Sequence, residues 1–332
     1  MKLMPAFLAV CMLSTASVLS QEIEASLAET REQACLELVQ AMESPTTDKK
    51  QLASELKKSK AKHLQWADEH PDITLIRYVA GLACIFDEQP VEALPHYKAA
   101  YEASGRNATI GMHYSLALQI AKQPINALAI ARQIATDNPQ VIQLQMLAAT
   151  HLIGVQKYRE AQAILSKYLG TDIPKPNQGY ATILQSLGVC QLYLEKTGEA
   201  VSTLEQAVGY FPGAVRILTS LAEAQLKSGE TTEAIKNLNA ALKINRNSTA
   251  TLYWMGVAQQ QKGDPDAMSF FRRARVAGEK DLKINSDNGK DHYLLYQICV
   301  KLEASKDAAK YKKQAADLHF TFEAPWAAGV KH

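Results

Sequence analysis

The residues that most often carry chemistry, histidine and cysteine, are scattered along this 332-residue chain. Its eight histidines form no HExxH pair, and the sequence contains no phosphate-binding loop, GxSxG elbow or calcium loop. His113 and His151 fall at different offsets in successive predicted helices, so we do not expect them to share a metal ion. Because no nucleophile and base are suggested together, the sequence predicts no catalytic, metal-binding or cofactor-binding residue, and no enzyme.

The cysteines are far apart in sequence and form no CxxC pair, which argues against a zinc site. Cys84, Cys190 and Cys299 lie in apolar segments with helical periodicity, where a free cysteine behaves as a small hydrophobic residue. We therefore expect buried thiols. One or two disulfides among these three and Cys35 are the alternative for an exported protein.

Charge gives little indication of nucleic-acid binding, since the formal net charge is only +2. Hydrophobic residues make up 47% of the chain, enough for a packed core. Basic residues concentrate in two predicted helices, which we interpret as solvated faces, with an acidic partner or an anionic lipid surface as the alternative. These residues are Lys49, Lys50, Lys57, Lys58, Lys60 and Lys62 in one helix and Arg272, Arg273 and Arg275 in the other.

The first twenty residues have the composition of a secretory signal, with Lys2 before an apolar core from Leu3 to Leu13. We expect cleavage near Ser20, which would leave a periplasmic or secreted chain without a membrane span. An uncleaved anchor is the alternative, although the apolar part is short for a bilayer. Cys11 faintly resembles a lipoprotein cysteine, but the bulky Val10 departs from that pattern, so we do not expect lipid anchoring.

Small and apolar residues recur at a period of about 34 residues. Each copy has the periodicity of two amphipathic helices; in the fourth copy they are joined at Lys196–Gly198, where Gly198 is predicted to supply the permissive backbone. Because one helix pair cannot bury its apolar face alone, the copies are expected to stack, with the small residues at helix crossings. Gly188, Gln191, Ala200, Leu204 and Ala207 recur as Ala222, Gln225, Ala234, Leu238 and Ala241.

This pattern resembles the tetratricopeptide repeat (TPR). The resemblance implies an all-α, right-handed superhelical solenoid of about six to seven helix-turn-helix repeats, over residues 74–316. Residues 1–20 would be the signal and 317–332 a tail, with a helical cap or divergent repeat at 21–73 formed by helices Glu22–Met42 and about Thr47–His70. Five extra residues in the loop 170–179 either bend the array into two halves or are a tolerated insertion.

In TPR proteins the first helices of successive repeats line a groove that binds peptides or partner helices. The resemblance therefore implies a partner-binding groove lined by first-helix residues, and their mostly apolar types suit an extended segment or a helix. These residues are Tyr78, Leu82, Met112, Leu116, Met146, Thr150, Gln185, Val189, Thr219, Glu223, Tyr253 and Val257.

Taken together, the sequence predicts a non-catalytic, exported scaffold that needs no cofactor and binds protein or peptide partners. The leading hypothesis is an adaptor in the assembly of the cell envelope or of a secreted complex. The alternative is a receptor of the periplasm that captures a short peptide or other small ligand.

Overall fold

The computed structural model describes residues 30–44, 48–169, 178–284 and 289–318. Within these ranges the chain forms seventeen α-helices, one short 3-10 helix and no strand, which confirms the predicted all-α fold. None of the described helices is long and apolar enough to cross a membrane. The α-helices are α1 (Thr30–Glu43), α2 (Lys49–Lys58), α3 (Lys60–Glu69), α4 (Thr74–Phe86), α5 (Pro90–Ala103), α6 (Ala108–Ile120), α7 (Pro124–Asp137), α8 (Ile142–Gly154), α9 (Tyr158–Leu165), α10 (Gln178–Tyr193), α11 (Thr197–Tyr210), α12 (Val215–Ser228), α13 (Thr231–Ile244), α14 (Thr249–Gln261), α15 (Ala267–Ile284), α16 (Gly289–Lys301) and α17 (Ser305–Asp317).

The chain divides into two compact units, Met1–Gly154 and Val155–His332. In the first unit, α4 pairs with α5 and α6 with α7, and each second helix packs on the first helix of the following repeat. The three N-terminal helices α1, α2 and α3 all contact α4. The first repeat is thus covered on its outer end by helices that do not follow the repeat pattern.

The second unit continues the same arrangement. Its antiparallel pairs are α10 with α11, α12 with α13, α14 with α15 and α16 with α17, while α9 packs on α10. Within this unit the first helices also contact one another, α10 with α12 and α12 with α14. Each apolar face is therefore buried by the neighbouring repeat, as expected for a solenoid.

The N-terminal helices differ from the sequence prediction. The predicted helix from Thr47 to His70 is broken at Ser59 into α2 and α3, because the Ser59 hydroxyl donates a hydrogen bond to the carbonyl of Glu55 at 2.8 Å and ends the first segment. Asp48 caps α2 by accepting from two backbone N–H groups. The predicted start of the first helix at Glu22, the signal segment and the tail lie outside the described residues.

A left-handed backbone residue marks the turn between the two helices of each repeat. The sequence predicts the turn at Lys196–Gly198 with Gly198 as its permissive residue, but Thr197 and Gly198 lie inside α11 and the left-handed residue is Glu195, with φ of 62°. Gly229 lies 34 residues further on with φ of 88°, and its equivalents recur through the chain. In register, the seven left-handed residues are Glu88, Lys122, Gln156, Glu195, Gly229, Gly263 and Glu303.

Close packing within the repeats explains the small residues of the pattern. A Cβ added to Gly188 would lie 2.5 Å from Cγ of Leu204 in the partner helix, and one added to Gly256 would lie 2.6 Å from the ring of Phe271. Ala200 and Ala207 are fully buried. The prediction that Gly188 lies at a helix crossing is therefore confirmed.

Candidate partner-binding surface

The predicted groove residues occupy two positions in each of the first six repeats, ten and six residues before the left-handed turn residue. We call these the upper and lower positions of the first helix. Glu223, for example, is the lower residue of the repeat that turns at Gly229, and Thr219 is its upper residue. The register inferred from the sequence thus placed equivalent residues in all six repeats.

In the first unit half of these side chains are buried. Tyr78 shares a hydrogen bond with His113 and stacks on its ring at 5.6 Å, which fixes it between two first helices. Leu82 has no exposed surface, since α4 is surrounded by the N-terminal helices. Met112 is also buried, whereas Met146 is half-buried. Of the remaining two, Leu116 is half-buried and Thr150 is exposed.

In the second unit the upper residues pack between neighbouring first helices. Gln185 donates a hydrogen bond to Ser220 at 3.3 Å, and the hydroxyls of Thr219 and Thr251 lie 2.8 Å apart. Tyr253 is likewise buried. The lower residues Val189, Glu223 and Val257 are half-buried and face solvent more than the upper ones do. Sequence register alone could not separate the two positions.

An aromatic stack that the groove prediction did not include borders this surface. Tyr158, the first residue of α9, and Tyr193, the last of α10, stack with ring centroids 4.4 Å apart and an interplanar angle of 2°. Tyr293 occupies the upper position of the last repeat, equivalent to Tyr253. The recurrence of tyrosine at that position was a signal in the sequence, but the Tyr158–Tyr193 contact needed the fold.

Glu223 is the charged centre of this tyrosine-rich surface. Its side chain is 17% exposed and accepts a hydrogen bond from Lys227 at 3.4 Å. Lys227 also lies over the ring of Tyr193, at 5.8 Å from the centroid. Burial raises the pKa of Glu223, and the lysines Lys227 and Lys290 partly oppose that rise.

The tyrosines around Glu223 are held in their neutral form. Burial raises the pKa of Tyr293 to about 12 and that of Tyr193 well above its ordinary range. Burial also raises the pKa of Tyr158 and Tyr253, and the charge of Glu223 adds to the rise in both. Each hydroxyl therefore stays a hydrogen-bond donor at any physiological pH. We call Tyr158, Tyr193, Glu223, Lys227, Tyr253 and Tyr293 the Glu223 cluster.

Comparison with known proteins gives a consistent family and fold. The family model described as "Tetratricopeptide repeat" matches residues 192–259, which include α11, α12, α13 and most of α14. The chain therefore contains tetratricopeptide repeats. A comparison with curated protein sequences gives no match.

Two solved structures show the same TPR fold. The crystal structure of PilW, a type IV pilus biogenesis factor, matches with a TM-score of 0.52 and 15% identity over 64% of this chain and 93% of PilW. The crystal structure of the APC/C hetero-tetramer Cut9–Hcn1 matches with a TM-score of 0.53 and 14% identity over 81% of this chain and 53% of the matched chain. At such identities the likeness shows the fold alone.

The described cysteines, and the histidines His113 and His151, are buried in this TPR protein. Cys35, Cys84, Cys190 and Cys299 are buried free thiols, and burial raises the pKa of the first three to about 12. Among the described residues, no group of three or more histidine, cysteine or acidic side chains could hold a metal ion. His113 and His151 are each buried.

Several of the basic residues singled out from the sequence have partners within the TPR protein. Lys60 pairs with Asp87 at 2.8 Å and with Glu92 at 2.9 Å, while Lys62 lies over the ring of Trp66. In the other helix, Arg275 pairs with Glu279 at 2.9 Å and with Asp307 at 2.8 Å. Part of each group of basic residues is therefore engaged in contacts within the protein.

Proposed function

We propose that this TPR protein is a scaffold that binds a protein partner through the first-helix surface of its second unit. The observation that carries the proposal is the Glu223 cluster. There, the enclosed carboxylate at a lower position lies among four tyrosine side chains, two of which are at the upper positions of later repeats. Tyrosine is enriched in protein interfaces because a rigid ring with a polar end gives contact area at low entropic cost.

The proposal includes a role in assembly outside the cytoplasm. Support comes from the signal-like residues 1–20 and from the repeat fold, which presents extended surfaces and carries no recognised catalytic motif. PilW is described as a pilus biogenesis factor and Cut9 comes from a hetero-tetramer, both consistent with assembly roles for this fold. N-terminal sequencing of the protein tests cleavage of this segment, and a start at Met1 would contradict cleavage.

Site-specific photo-crosslinking tests the binding surface. A photoreactive residue at Val257, in the lower position of α14, should give a discrete protein adduct in cells. The matched control is the same replacement at Val276, which is exposed on the second helix α15. Adducts of equal yield at both positions, or none at Val257, would contradict the proposal.

A small-ligand receptor is the second candidate, favoured by the enclosure of Glu223 and the tight Tyr158–Tyr193 stack. The same crosslinking experiment separates the two. A receptor gives adducts with a mass increase of a short peptide or small molecule, and an adaptor gives adducts with the mass of a second protein.

A further inference from the structure

We propose that Glu223 receives a lysine or arginine side chain of the partner, with the tyrosine rings of the Glu223 cluster forming the walls of its pocket. This inference rests on the proposed function and names the chemistry of the segment that is recognised. It follows from the charge of the surface, from the rings around Glu223 and from the contact that Glu223 already makes.

Glu223 is the one charged side chain at the upper and lower positions of the repeats in the part of the chain that the structure describes. All other residues at these positions are apolar or neutral polar, such as Val189, Thr219 and Val257. A partner lying along these positions therefore meets one acidic side chain, which is flanked by Lys227 on the same helix. A buried ionised group is costly without a partner of opposite sign, so this position favours a cation.

The rings around Glu223 also favour a cation. The faces of tyrosine rings carry negative potential, and a cation within about 6 Å of a ring centroid is attracted to it. The Tyr158–Tyr193 pair presents such a face beside Glu223, as the position of Lys227 over Tyr193 demonstrates. The cluster already holds an ammonium group between a carboxylate and a ring.

Lys227 leaves room for a second cation. Its Nζ contacts Oε1 of Glu223 at 3.4 Å, and this is the one hydrogen bond of that carboxylate among the described residues. Pairs at this spacing on a helix are individually weak. A guanidinium has five donors and binds carboxylates through two parallel hydrogen bonds, so it can engage Oε2 while Lys227 moves toward the ring.

An acidic partner fits the surface less well. The two lysines near Glu223 could attract an anion, but Lys227 is already engaged and Lys290 lies at the exposed rim. An anion reaching the tyrosine hydroxyls would come close to the carboxylate of Glu223. Selection of acidic peptides is therefore an outcome that would overturn the inference.

The test uses a phage-displayed library of random peptides selected on the full chain. Peptides enriched on the wild-type protein should share a lysine or arginine at one position. The Glu223→Gln variant should bind a synthetic copy of an enriched peptide about tenfold more weakly by fluorescence anisotropy, because the negative charge that strengthens the hydrogen bond to the peptide cation is lost. Glu205→Gln, which changes an exposed glutamate on α11, is the matched control and should leave the affinity unchanged.

Two ring variants separate the cluster from a general effect of charge. Tyr193→Leu should weaken binding of the same peptide several-fold, whereas Tyr193→Phe, which keeps the ring face, should not. Circular dichroism and thermal melts confirm that each variant is folded. Equal losses of affinity in both variants would show that the ring face of Tyr193 does not contribute to binding, and would overturn that part of the inference.

The outcomes distinguish this inference from the proposed function. Enrichment of peptides without a basic residue, or of acidic ones, or binding insensitive to Glu223→Gln, overturns the inference and leaves the protein-binding function intact. No enrichment above background, together with no crosslinked adduct at Val257, overturns both. A shared basic residue with the expected loss in Glu223→Gln supports both.

Discussion

At the scale of single residues, glycine decides how closely the helices of a repeat approach. Gly188 faces Leu204 so closely that any side chain would overlap it, and Leu204 is itself fully buried. Gly209 lies in α11 with open space where a Cβ would be. Two glycines in neighbouring helices thus have opposite requirements.

Gly188→Ala should lower the free energy of unfolding by about 1–3 kcal/mol, because the added methyl group overpacks a close helix crossing. Gly209→Ala should instead raise it by about 0.5–1 kcal/mol, because alanine loses less backbone entropy on folding. Urea denaturation of both variants measures the difference. If the free energy of unfolding changed with the same sign in both variants, the close contact between Gly188 and Leu204 would not be what determines the effect of the added methyl group.

The cysteines make a second prediction at this scale. All four described thiols are buried and free, and burial disfavours the reactive thiolate. In a chain with Cys11 replaced by serine, a thiol reagent such as DTNB should react very slowly at pH 8 and should count four thiols in denaturant without reductant. A count of two or none would show that disulfides form.

At the scale of elements, the turn between the helices of a repeat has a fixed geometry that the sequence satisfies in two ways. The backbone N–H after the left-handed residue bonds the carbonyl five positions earlier, as in Glu230 to Gln225 at 2.8 Å and Lys196 to Gln191 at 2.9 Å. This is the Schellman arrangement that ends many helices. Gly229 adopts it without strain, whereas Glu195 adopts it with a side chain.

Gly229→Ala should therefore cost about 1–2 kcal/mol of stability, because a Cβ is unfavourable at a φ of 88°. Glu195→Gly should change stability by less than about 1 kcal/mol, since relief of strain is offset by a more flexible unfolded chain. Thermal melts of both variants test this pair. A large loss in Glu195→Gly would mean that the glutamate side chain stabilises the turn.

At the scale of the whole molecule, the two units differ in their buried titratable groups. The first unit contains His63, His113 and His151, and burial lowers the pKa of each to about 4. Lys62 adds to the lowering at His63, while Tyr78 is the hydrogen-bond partner of His113. An unfolded histidine titrates near 6.5.

The first unit should consequently lose stability as the pH falls from about 6.5 toward 4. In that window the unfolded state binds more protons than the folded state. The free energy of unfolding therefore decreases as the pH is lowered, by about 1–3 kcal/mol for each histidine. Hydrogen–deuterium exchange should show α6 and α8 losing protection at a higher pH than α12 and α14. His151→Leu, which replaces the buried imidazole with an apolar side chain that does not titrate, should make the free energy of unfolding depend less steeply on pH. Parallel loss of protection in both units would contradict this assignment.

The sequence by itself determined the repeat, because stacking imposes the same small and apolar residues at the same places in each copy. It also placed the predicted groove residues in two equivalent positions, since register follows from the period. The sequence pattern did not predict the break at Ser59 or the left-handed turn at Glu195, because each depends on local hydrogen bonds rather than on the hydrophobic period.

Only the tertiary structure decided which groove positions are open to a partner. Leu82 and Val189 have the same place in the repeat, yet the N-terminal helices pack on α4 and Leu82 is fully buried while Val189 is half-buried. The Glu223 cluster likewise draws on α9, α10, α12, α14 and α16, so its residues are separated by up to four repeats in sequence. Burial and proximity depend on what neighbouring helices cover, and a periodic pattern carries no information about that.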